Sequence, residues 1–338
     1  MEMSLDSAYL LPLIWALVIA FGVAMYVVLD GFDLGIGILF PFVPSDRDRD
    51  RMMASVAPVW DGNETWLVLG GASLFGAFPK AYAQLLPAFY LPLALFLFAL
   101  IFRGVSFEFR ARSERSRPLW NVAFAGGSTI AAFAQGVILG AFVEGAGAST
   151  EAATPFSWLS PFSVMVGLGL VCGYALLGAT WLILKTEGPL QAWCDTTAKW
   201  LLFGVLGFVG IVSLWTPFAE PEIAARWFSW PEIAYLSPVP ILTGVLALTL
   251  WRALATGREK APFLCAVALI LLAYLGLGVS LWPYAVPREM TIWQAAAGPK
   301  TQGFLLVGVA VMIPLILAYT AYTYRVFRGK VRAEDAYH

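Results

Sequence analysis

Nine apolar stretches, near residues 9–41, 53–77, 83–109, 119–143, 160–185, 198–217, 234–254, 262–283 and 303–326, are each long enough to cross a bilayer as a helix. A hydrocarbon core of about 30 Å takes roughly 20 apolar residues at about 1.5 Å per residue. Only 13% of the 338 residues are charged, about half the share usual in a soluble domain. The pattern predicts an all-α integral membrane protein with nine transmembrane helices, and a first helix long enough to tilt or to extend past the bilayer. The longest connection is about 19 residues, which leaves no room for a soluble domain. The chain is therefore expected to form a single polytopic membrane domain over residues 1–338. These lengths permit two four-helix bundles plus one peripheral helix.

The 21 lysines and arginines divide unevenly between alternate connections. One set, with the C-terminal segment, carries Arg47, Arg49, Arg51, Arg110, Arg112, Arg115, Arg117, Lys185, Lys199, Arg252, Arg258, Lys260, Arg325, Arg328, Lys330 and Arg332. The other carries only Lys80, Arg226, Arg288 and Lys300. The positive-inside rule then predicts the N-terminus outside and the C-terminus cytoplasmic. No Lys or Arg precedes Arg47, so the positive flank of a cleavable signal is missing and the first apolar stretch is expected to stay as a helix.

Several function classes fall away on composition. A net charge of −1 offers no basic surface for nucleic acid. Cys172, Cys194 and Cys265 are scattered, with no CxxC spacing that suggests a thiolate metal site or a disulfide framework. The single histidine is His338, so the membrane interior offers no imidazole to heme or zinc. This chain is thus expected to supply no metal ligand, cofactor-binding residue or catalytic residue of its own. Trp158, Trp227, Trp230 and Trp282 read as interfacial anchors, and the connection over 217–233, which contains WFSWPEI, as a short amphipathic helix at the outer surface. The closely spaced pairs Gly31 and Gly35, and Gly169 and Gly173, with Gly204, Gly207 and Gly210, predict close helix approach.

One small set of charges resists explanation by loops. Asp30 and Asp33 fall in the first apolar stretch, Asp61 and Glu64 in the second, and Arg103 and Glu108 in the third. A carboxylate at depth costs a few kcal/mol, so each needs a partner, water or a proton. The i, i+3 spacing of Asp30 with Asp33 and of Asp61 with Glu64 places each pair on one helix face. Counting from the Arg-rich turn puts Asp33 and Asp61 at a similar depth, roughly 13 Å in, with Arg103 within reach. One cation cannot pair with all these carboxyls, so at least one is expected to hold a proton near neutral pH. A proton path through Asp61, Asp30, Asp33, Glu64 and Arg103 is one reading, and a buried ion pair that orders the helices is the other. Glu108, beside Arg110, reads as a surface charge, and Gln135, Glu144 and Gln294 as satisfied polar groups.

The segments LDGFDLGIG (29–37) and APVWDGNETWLVLGGASLFGAFPKAYA (57–83) resemble subunit II of the cytochrome bd-type quinol oxidases. FRGVSFEFR (102–110), LLGATWLILKTEG (176–188), LWPYAVP and MTIWQAAAG (both within 281–298) agree in order and spacing. The compact connection between the sixth and seventh stretches looks closer to the shorter, cyanide-insensitive branch. The resemblance implies a heterodimer with a homologous subunit I that holds the quinol site, two b-type hemes and one heme d. It also implies a location in the bacterial cytoplasmic membrane and a complex that oxidises quinol and reduces O2 to water. In the family the Asp of WDGN, here Asp61, is associated with proton delivery toward heme d. A small single-helix accessory subunit, membrane lipids and quinone are the remaining partner candidates. On residues alone, a proton-coupled secondary transporter and a purely structural partner subunit compete with this reading.

Overall fold

The computed structural model describes residues 7–112, 115–146 and 156–331. His338 and Arg332 lie outside the described residues. Helices dominate: α1 (Ser7–Leu39), continued by a 3-10 turn over Phe40–Phe42, then α2 (Asp46–Ala54), α3 (Trp60–Ala77), α4 (Pro79–Ala88), α5 (Tyr90–Arg112) and α6 (Arg117–Val143). They are followed by α7 (Pro161–Lys185), α8 (Pro189–Ala219), α9 (Pro221–Phe228), α10 (Glu232–Leu236), α11 (Pro238–Ala255) and α12 (Lys260–Leu281). A two-stranded antiparallel hairpin, β1 (Tyr284–Val286) and β2 (Met290–Thr291), leads through α13 (Ile292–Ala295) to α14 (Pro299–Val326).

Among the described residues, eight helical spans are long and apolar enough to cross a membrane: α1, α5, α6, α7, α8, α10 with α11, α12 and α14. The second expected stretch corresponds to α3, which has 18 residues and carries Asp61, Asn63 and Glu64 in its first turns; it is not among the eight. Three boundaries differ from the sequence reading, each at a proline. Helix α8 begins at Pro189, nine residues before the expected start near 198, since proline suits a helix's first turn. Residues 55–59 form turns rather than the start of the second helix, because Pro58 supplies no N–H and disfavours helix at the residue before it. The expected stretch 83–109 is broken at Phe89 into α4 and α5, where Pro92 cannot donate to the carbonyl four residues back and instead suits a helix's opening turn.

The packing centres on α7, which contacts α1, α6, α8 and α12. Helix α3 lies on α1, α5 on α6, and α11 on both α8 and α12. Gly35 and Gly178 set the crossing of α1 and α7: a Cβ on Gly35 would fall on the backbone carbonyl of Tyr174, and one on Gly178 would fall on the backbone of Gly35. Gly207 and Gly210, by contrast, face open space. From Asp30 to Leu39 every residue of α1 is buried, so the C-terminal end of this helix is enclosed on all sides. The amphipathic segment is α9, with Ile223 buried against Val143 and Phe162.

Helix α14 is peripheral, with only Gln302 and Thr323 buried among its 28 residues, and it lies against α1 and α3. Polar ties hold both of its ends. The Trp15 indole donates to the Gln302 carbonyl (3.2 Å), and the Gln302 amide to the Ala77 carbonyl (3.2 Å). At the other end the Lys185 ammonium donates to the Phe327 carbonyl (2.6 Å), and Lys330 to the Thr186 carbonyl (3.0 Å). A cation on the last carbonyls of a helix satisfies orphan acceptors and opposes the dipole.

Candidate functional site: a buried arginine among carboxyls

Arg103, on α5, is fully buried and is the cation on which the site is built. Its Nη1 lies 2.8 Å from Asp30 Oδ1 and 2.5 Å from Glu64 Oε1, and its Nη2 lies 3.6 Å from Asp33 Oδ2. Asp30 and Asp33 are fully buried, whereas the Glu64 side chain retains 25% exposure. The Asp30 contact is close yet misaligned for a hydrogen bond, so both Asp30 oxygens keep unengaged lone pairs. Trp60 and Phe107 stack with centroids 5.0 Å apart and present their rings to the guanidinium at 5.8 and 5.9 Å. That shields the charge from water and adds cation–π attraction.

Asn63 joins the site from α3. Its Nδ2 donates to Asp33 Oδ2 (2.7 Å) and to the Leu29 carbonyl (3.2 Å), and its Oδ1 accepts from the Tyr324 hydroxyl of α14 (2.9 Å). Four helices, α1, α3, α5 and α14, thus contribute polar groups to one network. Sequence reasoning missed Asn63 and Tyr324. Being uncharged, Asn63 escapes a search for unexplained charges, although it stands inside WDGNETW; Tyr324 reads in sequence as an ordinary aromatic near a helix end.

Of the five residues expected to converge, Asp30, Asp33, Glu64 and Arg103 do so, and Asp61 does not contact Arg103. It lies exposed in the first turn of α3. The reason is helical: Asn63 and Trp66 fill the inward face of α3, and Asp61 stands about 200° around the axis from Asn63. Glu64, one turn after Asp61, has a longer side chain that bends inward to Arg103. Glu108 pairs with Arg112 at the surface (3.3 Å). Gln135 accepts from the Tyr174 hydroxyl (3.0 Å), Glu144 accepts from the Ser160 hydroxyl, and Gln294 closes a capping box with Thr291.

A second charged group lies at the Arg-rich end. Asp50 of α2 accepts from Arg110 of α5 (2.7 Å) and from Arg117 of α6, while Arg110 also donates to Asn121 (2.6 Å). Burial disfavours the Asp50 carboxylate, yet the hydrogen bonds from Arg117 and Arg110 outweigh it and hold this group below the ordinary carboxylate range. Arg110 packs over Phe40 (5.3 Å), and the rings of Phe40, Phe124, Phe107 and Trp60 run from there to Arg103. Among the described residues, no group of three or more His, Cys, Asp or Glu is placed to hold a metal ion.

The family model described as cytochrome bd terminal oxidase subunit II matches residues 11–327. The chain belongs to this family. It is 29% identical to cytochrome bd-I ubiquinol oxidase subunit 2 of Escherichia coli K12, with 96% of each chain covered. It is 23% identical to cytochrome bd ubiquinol oxidase subunit 2 of Bacillus subtilis, over 95% of this chain and 97% of that one. The fold matches a chain of the bd oxidase from Geobacillus thermodenitrificans with a TM-score of 0.80 at 17% identity, covering 94% of this chain and 98% of that chain. As a cytochrome bd subunit II, the chain is a multi-pass membrane protein of a terminal quinol oxidase. Family membership does not favour the secondary-transporter reading.

Proposed function

We propose that this subunit carries protons from the cytoplasm to the O2-reducing centre of the complex, through Asp61 and Glu64 backed by Asp30, Asp33 and Arg103. In this reading α3 is the ninth crossing. Helices α1, α3, α5 and α6 form one four-helix bundle and α7, α8, α11 and α12 the other, with α14 peripheral, in a single polytopic domain of the bacterial cytoplasmic membrane. The partition of lysine and arginine supports an external N-terminus and a cytoplasmic C-terminus. The two b-type hemes, the heme d and the quinol site belong to the homologous subunit I; no catalytic step is assigned to this chain.

The observation that carries the proposal is the juxtaposition of an exposed carboxyl, Asp61, with a half-enclosed one, Glu64, a turn further on and held by a buried guanidinium. Three carboxyls face one cation, so the ionised cluster carries excess negative charge, and a proton relieves it. Arg103 Nη1 is shared by Glu64 and Asp30. When Glu64 takes a proton, Nη1 keeps Asp30 as its counter-ion, and the exchange proceeds without exposing a bare guanidinium. Asp61 sits in the first turn of α3. Its outward side chain suits hand-off to a partner chain, since facing lipid would cost a few kcal/mol.

Quinol-driven O2 uptake by the assembled complex tests this. Asp61→Asn and Asp30→Asn are expected to slow turnover by about tenfold or more, the scale of losing a positioned proton-transfer group, at unchanged heme content. Normal turnover in both would reject the proton path, and loss of assembly in Asp61→Asn would favour the purely structural reading.

A further inference from the structure

The Tyr324 hydroxyl ties α14 to the site through Asn63, and its chemistry differs from that of its neighbours. The Asn63 amide is oriented by the Leu29 carbonyl, which can only accept, so its NH2 end must face that carbonyl and, beside it, Asp33 Oδ2. Its carbonyl end then points to Tyr324, whose hydroxyl donates. The Tyr324 ring is fixed edge-on against Trp181 (6.1 Å, 80°), which in turn stacks on Phe32 (4.3 Å), between the two aspartates in sequence. Tyr324 and Asn63 also line a hollow of about 10 Å3, bordered besides by Val59, Gly62, Tyr319 and Thr320, which is room for one water. A hydroxyl can accept from such a water while donating to Asn63; an amide carbonyl alone cannot pass that polarity on.

We propose that Tyr324 is a positioning residue for the proton path: by donating to Asn63 it keeps the amide turned toward Asp33, and it couples water in the α3–α14 hollow to the Asp33 side of the Arg103 cluster. This rests on the proton-path reading above. It gives α14 a functional contact in addition to its end ties. With the hydroxyl removed, the Asn63 carbonyl loses its donor, and the Leu29 and Asp33 contacts alone hold the amide toward Asp33.

The test uses the complete, heme-loaded complex. Tyr324→Phe removes one oxygen and preserves the ring packing. It is expected to lower kcat about three- to tenfold, one hydrogen bond's worth, with the KM for quinol and the heme spectra unchanged. The deuterium-solvent effect on kcat is expected to rise. In an Asp33→Asn background the same substitution is expected to have no further effect, because the group it positions is gone. Gly62→Ala, whose methyl would project toward Tyr319 at 3.4 Å and fill the hollow, is expected to slow turnover while leaving the Tyr324–Asn63 bond in place. Wild-type kcat in Tyr324→Phe, alongside slowed Asp61→Asn and Asp30→Asn, would overturn this proposal and leave the proton path standing. Full additivity of Tyr324→Phe with Asp33→Asn would also overturn it. Normal turnover in every variant would reject both.

Discussion

At the scale of single residues, Arg103 and Glu64 divide the work of the cluster. Arg103 has no exposure and three carboxyl neighbours, so removing its charge leaves carboxyls in a low-dielectric interior with nothing to balance them. Breaking a buried pair of this kind typically costs about 3–5 kcal/mol. Arg103→Gln is therefore expected to reduce the yield of assembled, heme-replete complex several-fold, as measured by size-exclusion chromatography with heme absorbance. A yield equal to that of the parent would show that the cluster is dispensable for folding. Glu64 is different in kind, since its side chain keeps partial exposure, which the proposed path uses for proton exchange. The charge subtraction in the sequence located both residues, but it could not say which face of α3 Asp61 would occupy. That depends on Asn63 and Trp66 claiming the inward side, which is a packing outcome.

At the scale of elements, the Arg-rich ends of α2, α5 and α6 are held together through Asp50. Its carboxylate is stabilised in the folded state relative to the unfolded chain, so the contribution is fully present above the unfolded value of about 4. It is lost as the pH falls through the lower folded value. Asp50→Asn is expected to lower the Tm at pH 7, with the gap to the parent closing progressively below about pH 4; a gap independent of pH would contradict this assignment. Element type and order were legible from apolar period and length, because the bilayer demands continuous helices. The breaks at 55–59 and at Phe89 were less legible, because proline is tolerated inside a membrane helix as often as it ends one. The role of α14 was not visible at all. Its middle, residues 304–318, is apolar on every side, and nothing local marks Tyr324 as the hydroxyl that reaches α3.

At the scale of the whole molecule, the uneven placement of lysine and arginine gives the carboxyl cluster a direction. Asp50, Arg110 and the Phe40-to-Trp60 ring series connect the Arg-rich end with Arg103, and Asp61 opens the site outward from α3. A subunit that only braced its partner would not need an exposed carboxyl next to a buried, charge-rich centre. The most direct measurement is proton uptake during a single turnover, followed with a pH-indicating dye on the cytoplasmic face of vesicles carrying the Asp61→Asn complex. The account predicts that O2 binds at the normal rate while proton uptake slows about tenfold or more. Uptake at the parental rate, with heme content intact, would contradict it.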